Sequence, residues 1–175
     1  MAAALAFNLQ KWVDENRHLL KPPVGNKMVY TGNKDFIVMV VGGPNSRKDY
    51  HFEDGEELFY QLEGDIVVKT IQDGKNVDVS IKEGEMFLLP PHIPHSPQRG
   101  PNTIGLVIER QRDEKEIDSC LWFCEKCANK LHEAKFHLSD IVVQLPKVMD
   151  AFYADLDLRT CKKCGTIMEP PAKLA

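Results

Sequence analysis

From residue 28 to residue 108 the chain alternates short β-branched or aromatic runs with turn chemistry, and that alternation restricts the fold more than any other feature. The runs fall at 28–30, 35–41, 57–62, 65–71, 77–81, 86–89 and 103–108. Between them stand Gly32-Asn33, Gly42-Gly43-Pro44-Asn45, Glu63-Gly64, Asp73-Gly74 and Gly84. Asp-Gly between two such runs is a strong hairpin signal. Seven or more short strands at this spacing predict a mainly β fold, a sandwich or barrel of the jelly-roll type. Ahead of them, Leu9, Trp12, Val13, Leu19 and Leu20 recur at helical spacing behind Asn8 as N-cap, so one amphipathic helix is expected over 8–20. Lys21-Pro22-Pro23-Val24-Gly25-Asn26 ends it.

Beyond Gln111 the pattern changes. Glu114 to Asp118 reads as a charged connector, dividing the chain into a barrel domain over 1–112 and a C-terminal extension over 113–175. The extension is expected to be small and helical: Ser139 can cap one segment, and Pro146 starts or kinks a second carrying Val148, Met149, Phe152 and Leu156. The tail from Met168, with two prolines, is expected to be loosely held.

Cys124-x-x-Cys127 and Cys161-x-x-Cys164 have the spacing of a tetrathiolate metal site. Zinc and iron both accept four thiolates. A closed coordination sphere favours a structural or iron-storing role over catalysis, and Lys163 and Gly165 fit a knuckle turn whose amides donate to sulfur. Cys120 is left over as a buried or free thiol. Cysteines spaced for metal rather than disulfides suit a reducing compartment. Residues 1–7 lack a basic n-region, so the cytoplasm is the expected location. A net charge of -4 gives no reason to expect nucleic acid or an anionic membrane as partner.

The candidate catalytic residues stand in two clusters, 50–57 and 88–95. A lone histidine on a strand is usually a surface or satisfied core residue; here, two clusters flank a hairpin that could fold one beside the other. His51 and Glu57 lie at an even spacing, which in an extended strand gives one face. Two imidazoles and a carboxylate on one face of a barrel form a facial triad, the usual holder of non-haem Fe(II), with three positions left for substrate and O2. The second imidazole is His92 or His95. Among the carboxylates Glu56 has the wrong parity, and Glu53 is the rival to Glu57. Arg47 lies four residues before His51 and Arg99 four after His95, a fork suited to a carboxylate. Glu109 ends the apolar run Leu106-Val107-Ile108, which should pass through the barrel.

The frame His51-x-Glu53-x₃-Glu57-x₆-Gly64, then Gly84-x₅-Pro90-x-His92-x₂-His95-x₃-Arg99, resembles the two motifs of the cupin superfamily. It departs at Glu53, where cupins usually place a second histidine, at His92 in place of glycine and at Arg99 in place of asparagine. The resemblance implies a cupin jelly-roll barrel and selects His51, Glu57 and His95 as ligands. The strings Lys21-Pro22-Pro23-Val24, Val41-Gly42-Gly43-Pro44-Asn45, Asp49-Tyr50-His51, Phe59-Tyr60-Gln61, Phe87-Leu88-Leu89-Pro90-Pro91-His92, Pro94-His95-Ser96-Pro97 and Val107-Ile108-Glu109-Arg110 are similar to the 3-hydroxyanthranilate 3,4-dioxygenase family. The similarity runs over nearly the whole chain, including the cysteine pairs of bacterial and fungal-type members.

That resemblance implies Fe(II) on His51, Glu57 and His95, substrate contacts from Arg47, Arg99 and Glu109, a rubredoxin-like iron on the four cysteines, and a homodimer. It implies that 3-hydroxyanthranilate chelates the iron through its hydroxyl and amino groups. Arg47 and Arg99 then orient its carboxylate, and Glu109 acts as base or hydrogen-bond acceptor. Extradiol-type cleavage with O2 gives 2-amino-3-carboxymuconate semialdehyde, which closes to quinolinate, a precursor of NAD. The rival readings are another Fe(II)-dependent cupin enzyme, or a non-enzymatic cupin that senses metal and ligand without consuming O2.

Overall fold

Helix α1 (Leu9–Asn16) begins where the Asn8 side chain accepts a hydrogen bond from the Lys11 amide at 2.9 Å. It gives way to a 3-10 turn at Arg17–Leu19, sooner than the spacing suggests. Val13 and Leu20 are buried against Val40 and Ile104, fixing the helix to the outside of the barrel. This computed structural model describes residues 6–22, 25–32, 34–139 and 141–172. Pro23 and Val24 of the helix-ending segment, Asn33 of the first turn, and the two ends of the chain (1–5 and 173–175) lie outside the described residues.

The strands are β1 (Asn26–Met28), β2 (Phe36–Gly42), β3 (Tyr50–Phe52), β4 (Glu57–Glu63), β5 (Ile66–Gln72), β6 (Lys75–Ile81), β7 (Met86–Leu89), β8 (His95–Arg99), β9 (Ile104–Arg110), β10 (Asp118–Phe123) and β11 (Lys130–Phe136). They form two antiparallel sheets, β1-β2-β9-β4-β7 and β11-β10-β3-β8-β5-β6. The fold is the mainly β, cupin-like jelly roll expected. Asp73 and Gly74 both adopt positive φ, 48° and 73°, and close the β5–β6 hairpin as a two-residue turn. Strand alternation builds the interior: Glu57, Phe59 and Gln61 are the buried residues of β4, and Ile66, Val68 and Thr70 those of β5. Between the sheets Ile37, Met39, Phe59, Ile66, Val68, Ile81, Leu89 and Val107 form the apolar end of the barrel. The other end is polar.

The C-terminal extension departs from its sequence reading in three ways. Asp118, placed in a charged connector, is 1% exposed and begins β10, which pairs with β3 and so joins the barrel sheet. With β11 it forms a hairpin that the helical periodicity did not reveal. Pro146 does not divide two helices but lies within α2 (Ile141–Ala154), with α3 (Leu156–Arg159) following. The tail is held as far as Ala172: Met168 is buried, its amide donates to the Arg159 carbonyl at 3.0 Å, and Ser46 donates to the Ala172 carbonyl at 2.9 Å. Trp122 stacks on Phe152 at 4.2 Å, packing α2 onto β10, while Phe123 meets Tyr50 of β3 edge-on at 5.4 Å. Truncating a buried tryptophan of this kind costs ~3–5 kcal/mol, so this small core is what holds the extension to the barrel.

Candidate active site

Two register pairs, one per sheet, create the polar end. His51 of β3 lies directly opposite His95 of β8, with ring centroids 5.4 Å apart. Glu57 of β4 lies directly opposite Glu109 of β9. All four are buried, and the two pairs face each other across the barrel. The expectation that His51 and Glu57 share one extended strand is corrected by this arrangement. The chain turns at Asp54-Gly55 and crosses to the other sheet between them, and the two side chains meet because both sheets present their inner faces to the same space. Glu53, on the approach to that turn, joins the group. Ligand atoms of His51, Glu53, Glu57 and His95 all lie within 4.8 Å of one another. Glu56 is exposed, and His92 points away from the cluster: its side chain is 60% exposed and paired with Asp54 at 2.9 Å.

Hydrogen bonds fix which ring nitrogen faces the centre. His95 Nδ1 lies 3.1 Å from the Ile93 carbonyl and donates to it, so the Nε2 lone pair faces Glu57 Oε2 at 2.8 Å. Two electron-rich atoms at that distance require a proton or a cation between them, and no aligned hydrogen bond serves that Glu57 oxygen. His51 Nε2 lies 2.7 Å from Asp118 Oδ2, which leaves Nδ1 toward the cluster. Histidines held by a carboxylate or a carbonyl behind them are the form in which metal ligands are presented. Charge agrees. With all four carboxylates ionised, Glu53, Glu57, Glu109 and Asp118 exceed the buried guanidiniums of Arg99 and Arg112 by two negative charges, which one divalent cation neutralises and which protons must otherwise cancel. The residues fit a divalent metal.

Burial and crowding shift the titration of these groups. Burial, then Glu109 and Glu57, push Glu53 up to about 10. Burial, then Glu57, push Glu109 up to about 7. Burial works to raise Glu57, but His95, His51 and Arg47 together hold it below the usual carboxylate range. Burial lowers His51 despite its hydrogen bond to Asp118.

The two arginines are differently employed. Arg47, in the loop before β3, pairs with the buried Asp49 at 2.5 Å and lines a cleft of about 810 Å³ that reaches Cys124 and Cys127. Arg99 is 4% exposed and has no ion pair to a carboxylate among the described residues; its Nη1 donates to Gln61 Oε1 at 3.3 Å. Burial, with Arg47 nearby, lowers it to about 10 although Glu57 opposes the fall. Arg99 is therefore a buried cation facing the ligand cluster with an unmet demand for an anion.

Sequence reasoning missed three residues here. Asp118 holds His51. Arg112, with its side chain 2% exposed, contacts Glu53, Glu109 and Asp118 at 2.6, 2.7 and 2.9 Å. Gly105 of β9 makes room for Arg99: a Cβ there would stand 2.8 Å from Arg99 Nη1 and 2.7 Å from Gln61 Oε1. The only available signals were an arginine and an aspartate in a stretch that reads as solvated charge and a glycine inside a strand, the usual mark of a close approach.

The cysteines form a second centre. Cys124 and Cys164, and Cys127 and Cys161, have Sγ atoms 3.6 Å apart, and all four lie within 4.8 Å of one another. A tetrahedral ion with ~2.3 Å bonds to sulfur requires spacings of this order, far beyond a disulfide's ~2.05 Å. Two matching turns carry them: the Ala128 amide donates to the Cys124 carbonyl at 2.9 Å and the Gly165 amide to the Cys161 carbonyl at 2.8 Å, each residue at positive φ. The hydroxyl and amide of Thr166 bring Cys164 down to about 6, near-ready as a thiolate ligand. Cys120 is buried opposite His51, and burial pushes its thiol up to about 12, so it stays protonated and inert.

A protein-family model described as 3-hydroxyanthranilic acid dioxygenase matches residues 1–153. A 3-hydroxyanthranilate 3,4-dioxygenase of Xanthomonas campestris pv. campestris (strain B100) is 52% identical over 169 residues, covering 97% of this chain and 95% of the relative. One of Jannaschia sp. (strain CCS1) is 54% identical over 175 residues, covering 98% and 97%. Among solved structures, an RmlC-like cupin from Shewanella frigidimarina NCIMB 400 covers 51% of this chain and 77% of its own, at 17% identity and a TM-score of 0.41.

Proposed function

The chain belongs to the 3-hydroxyanthranilic acid dioxygenase family, and on that premise we propose that its polar barrel end binds Fe(II) through His51, Glu57 and His95 and opens the ring of 3-hydroxyanthranilate with O2. The product of that reaction is 2-amino-3-carboxymuconate semialdehyde, which leads to quinolinate and NAD in the kynurenine pathway. The observation that carries the reading is the convergence of the two register pairs on one buried, electron-rich space beside Arg99, which makes no ion pair to a carboxylate among the described residues. Fe(II) bound there supplies a redox-active Lewis acid able to engage both an aminophenol and O2.

The chain's own residues supply the rest. Arg99 receives the substrate carboxylate, and Arg47, with Asp49 beside it, closes the other side of the fork. Fixing the ring by that group presents its hydroxyl and amino substituents to the ligand cluster, which is catalysis by orientation. Glu109, buried directly opposite Glu57, stands where it can accept the hydroxyl proton. Glu57 rather than Glu53 is the carboxylate ligand, because Glu53 stands against the Arg112 guanidinium.

We assign the oxidation to residues 1–112 and a structural tetrathiolate metal, rubredoxin-like iron or zinc, to 113–175, with β10 knitting the two together. A homodimer follows from the family resemblance, and cysteines spaced for metal suit a reducing compartment such as the cytoplasm. To test the reading, Fe(II)-loaded protein is mixed with 3-hydroxyanthranilate and air, and the near-ultraviolet band of the semialdehyde is followed. The band should develop with wild type and vanish with His51→Ala. Substrate binding without any band would favour the ligand-sensing reading instead.

A further inference from the structure

Four side chains, not three, offer ligand atoms within 4.8 Å of one another: His51, Glu53, Glu57 and His95. If all four bound one six-coordinate ion, two positions would remain, whereas a chelating substrate together with O2 needs three. Some feature of the fold must therefore decide whether Glu53 binds. The structure offers one candidate. Arg112 Nη2 lies 2.6 Å from Glu53 Oε2, both side chains being almost wholly buried, so no water competes for the contact. The guanidinium is itself anchored. Its Nε and Nη2 donate to Asp118 at 3.1 and 2.9 Å, and its Nη1 donates to the Arg110 carbonyl at 2.8 Å. It cannot follow Glu53 toward the ligand cluster.

We propose that Arg112 is a positioning residue that holds Glu53 off the metal and so keeps the centre a three-ligand site. The inference rests on the metal reading above. Nη2 has two hydrogens and three carboxylate oxygens around it, from Glu53, Glu109 and Asp118. The aligned bonds go to Asp118, and neither Glu53 oxygen has an aligned hydrogen bond. The fixed charge of the guanidinium, rather than a directed bond, restrains Glu53, most strongly once a bound cation favours the ionised carboxylate. Removing that charge frees Glu53 to occupy the position meant for substrate. Through Asp118 the same guanidinium also braces the His51 ring.

The test uses the whole protein freed of metal and titrated with Co(II), with 3-hydroxyanthranilate added anaerobically. The thiolate site announces itself by an intense sulfur-to-cobalt band, so the histidine–carboxylate site is read separately from its weak visible bands. With Arg112→Gln, Co(II) should bind the latter site at least as tightly as in wild type, because a carboxylate ligand has been gained. Substrate affinity should fall by ~10-fold or more, the scale of an outer-shell loss. Glu53→Gln alone should leave both affinities within ~3-fold of wild type. The double variant Arg112→Gln/Glu53→Gln should recover most of the substrate affinity, and Arg112→Lys, which keeps the charge, should recover part of it. A ~10-fold or greater loss of Co(II) in Glu53→Gln would make Glu53 a ligand and overturn the proposal. So would a double variant as defective as Arg112→Gln. If Arg112→Gln does not fold, the Glu53→Gln and Arg112→Lys results decide alone: Co(II) retained in both, with substrate affinity within ~3-fold of wild type in Glu53→Gln and weakened by less than ~10-fold in Arg112→Lys, supports the proposal, and any larger loss overturns it. Wild-type protein that takes Co(II) only on thiolates would instead refute the metal reading itself.

Discussion

Replacing Arg99 with methionine should make the fold more stable and the substrate much weaker. A guanidinium lowered to about 10 is at most about 3 kcal/mol less favourable as a cation in the fold than in water, at 1.36 kcal/mol per tenfold change in proton affinity. The sign follows from a base whose affinity for protons falls on folding. The charged form is disfavoured, the penalty is carried in full at every pH below about 10, and it is relieved only as pH rises through that value. Methionine fills much of the same volume without the charge, so Arg99→Met removes the penalty, offset by the loss of the Gln61 contact and of a favourable charge near Glu57. A net gain of ~1–2 kcal/mol should raise Tm by ~2–8 °C, at ~2–4 °C per kcal/mol for a chain this size. Losing one partner of a buried charge pair costs ~2–5 kcal/mol, so the Kd for 3-hydroxyanthranilate should rise ~30-fold to several thousandfold. Thermal denaturation and anaerobic titration read the two effects separately. A Tm lowered by the ~3–5 kcal/mol of a broken buried ion pair, with substrate affinity intact, would show that Arg99 is a structural cation and refute the reasoning.

Further outcomes follow from the same geometry. Gly105→Ala drives a methyl against the ends of Arg99 and Gln61 rather than against backbone, so Tm should change by less than ~2 °C while KM rises ~10-fold or more, scaled as a displaced charged hydrogen bond. In metal-free protein, Glu109 and Glu53 titrate above the ordinary 4.5, so the fold is favoured below that pH and loses stability as pH rises through about 7 and on toward about 10. Denaturation across that range should show the decline, and Glu109→Gln should flatten the portion between about 4.5 and about 7. In the first cysteine turn Ala128 carries a φ of 55° where the second turn has Gly165. Ala128→Gly should therefore be neutral or stabilise the fold by up to ~1 kcal/mol, as judged by denaturant unfolding.

The sequence made the barrel legible because its strands carry local signals. Asp73-Gly74 specifies its own hairpin, and the even-odd pattern of β4 and β5 survives into the burial of Phe59, Gln61, Val68 and Thr70. The cysteine centre was equally plain, since its ligands come as two local turns. What stayed hidden is non-local. His51 and Glu57 meet across two sheets rather than along one strand, a consequence of barrel closure that parity cannot express. Asp118 reads as part of a solvated charge run until β10 is seen to pair with β3, and Arg112 acquires its meaning only from the three carboxylates around it. Pro146 reads as the start of, or a kink in, a second helix, yet a single α2 runs through it with Phe152 stacked on Trp122.

In the function proposed above, one buried histidine–glutamate centre directs O2 into the ring of 3-hydroxyanthranilate without any other electron source. Measuring oxygen consumed against ring opened, with Fe(II)-loaded protein and no added reductant, tests it most directly. One O2 should be consumed per semialdehyde formed, with both signals lost together in His95→Ala. Ring opening that proceeds without oxygen, or oxygen uptake that depends on an external reductant, would contradict it.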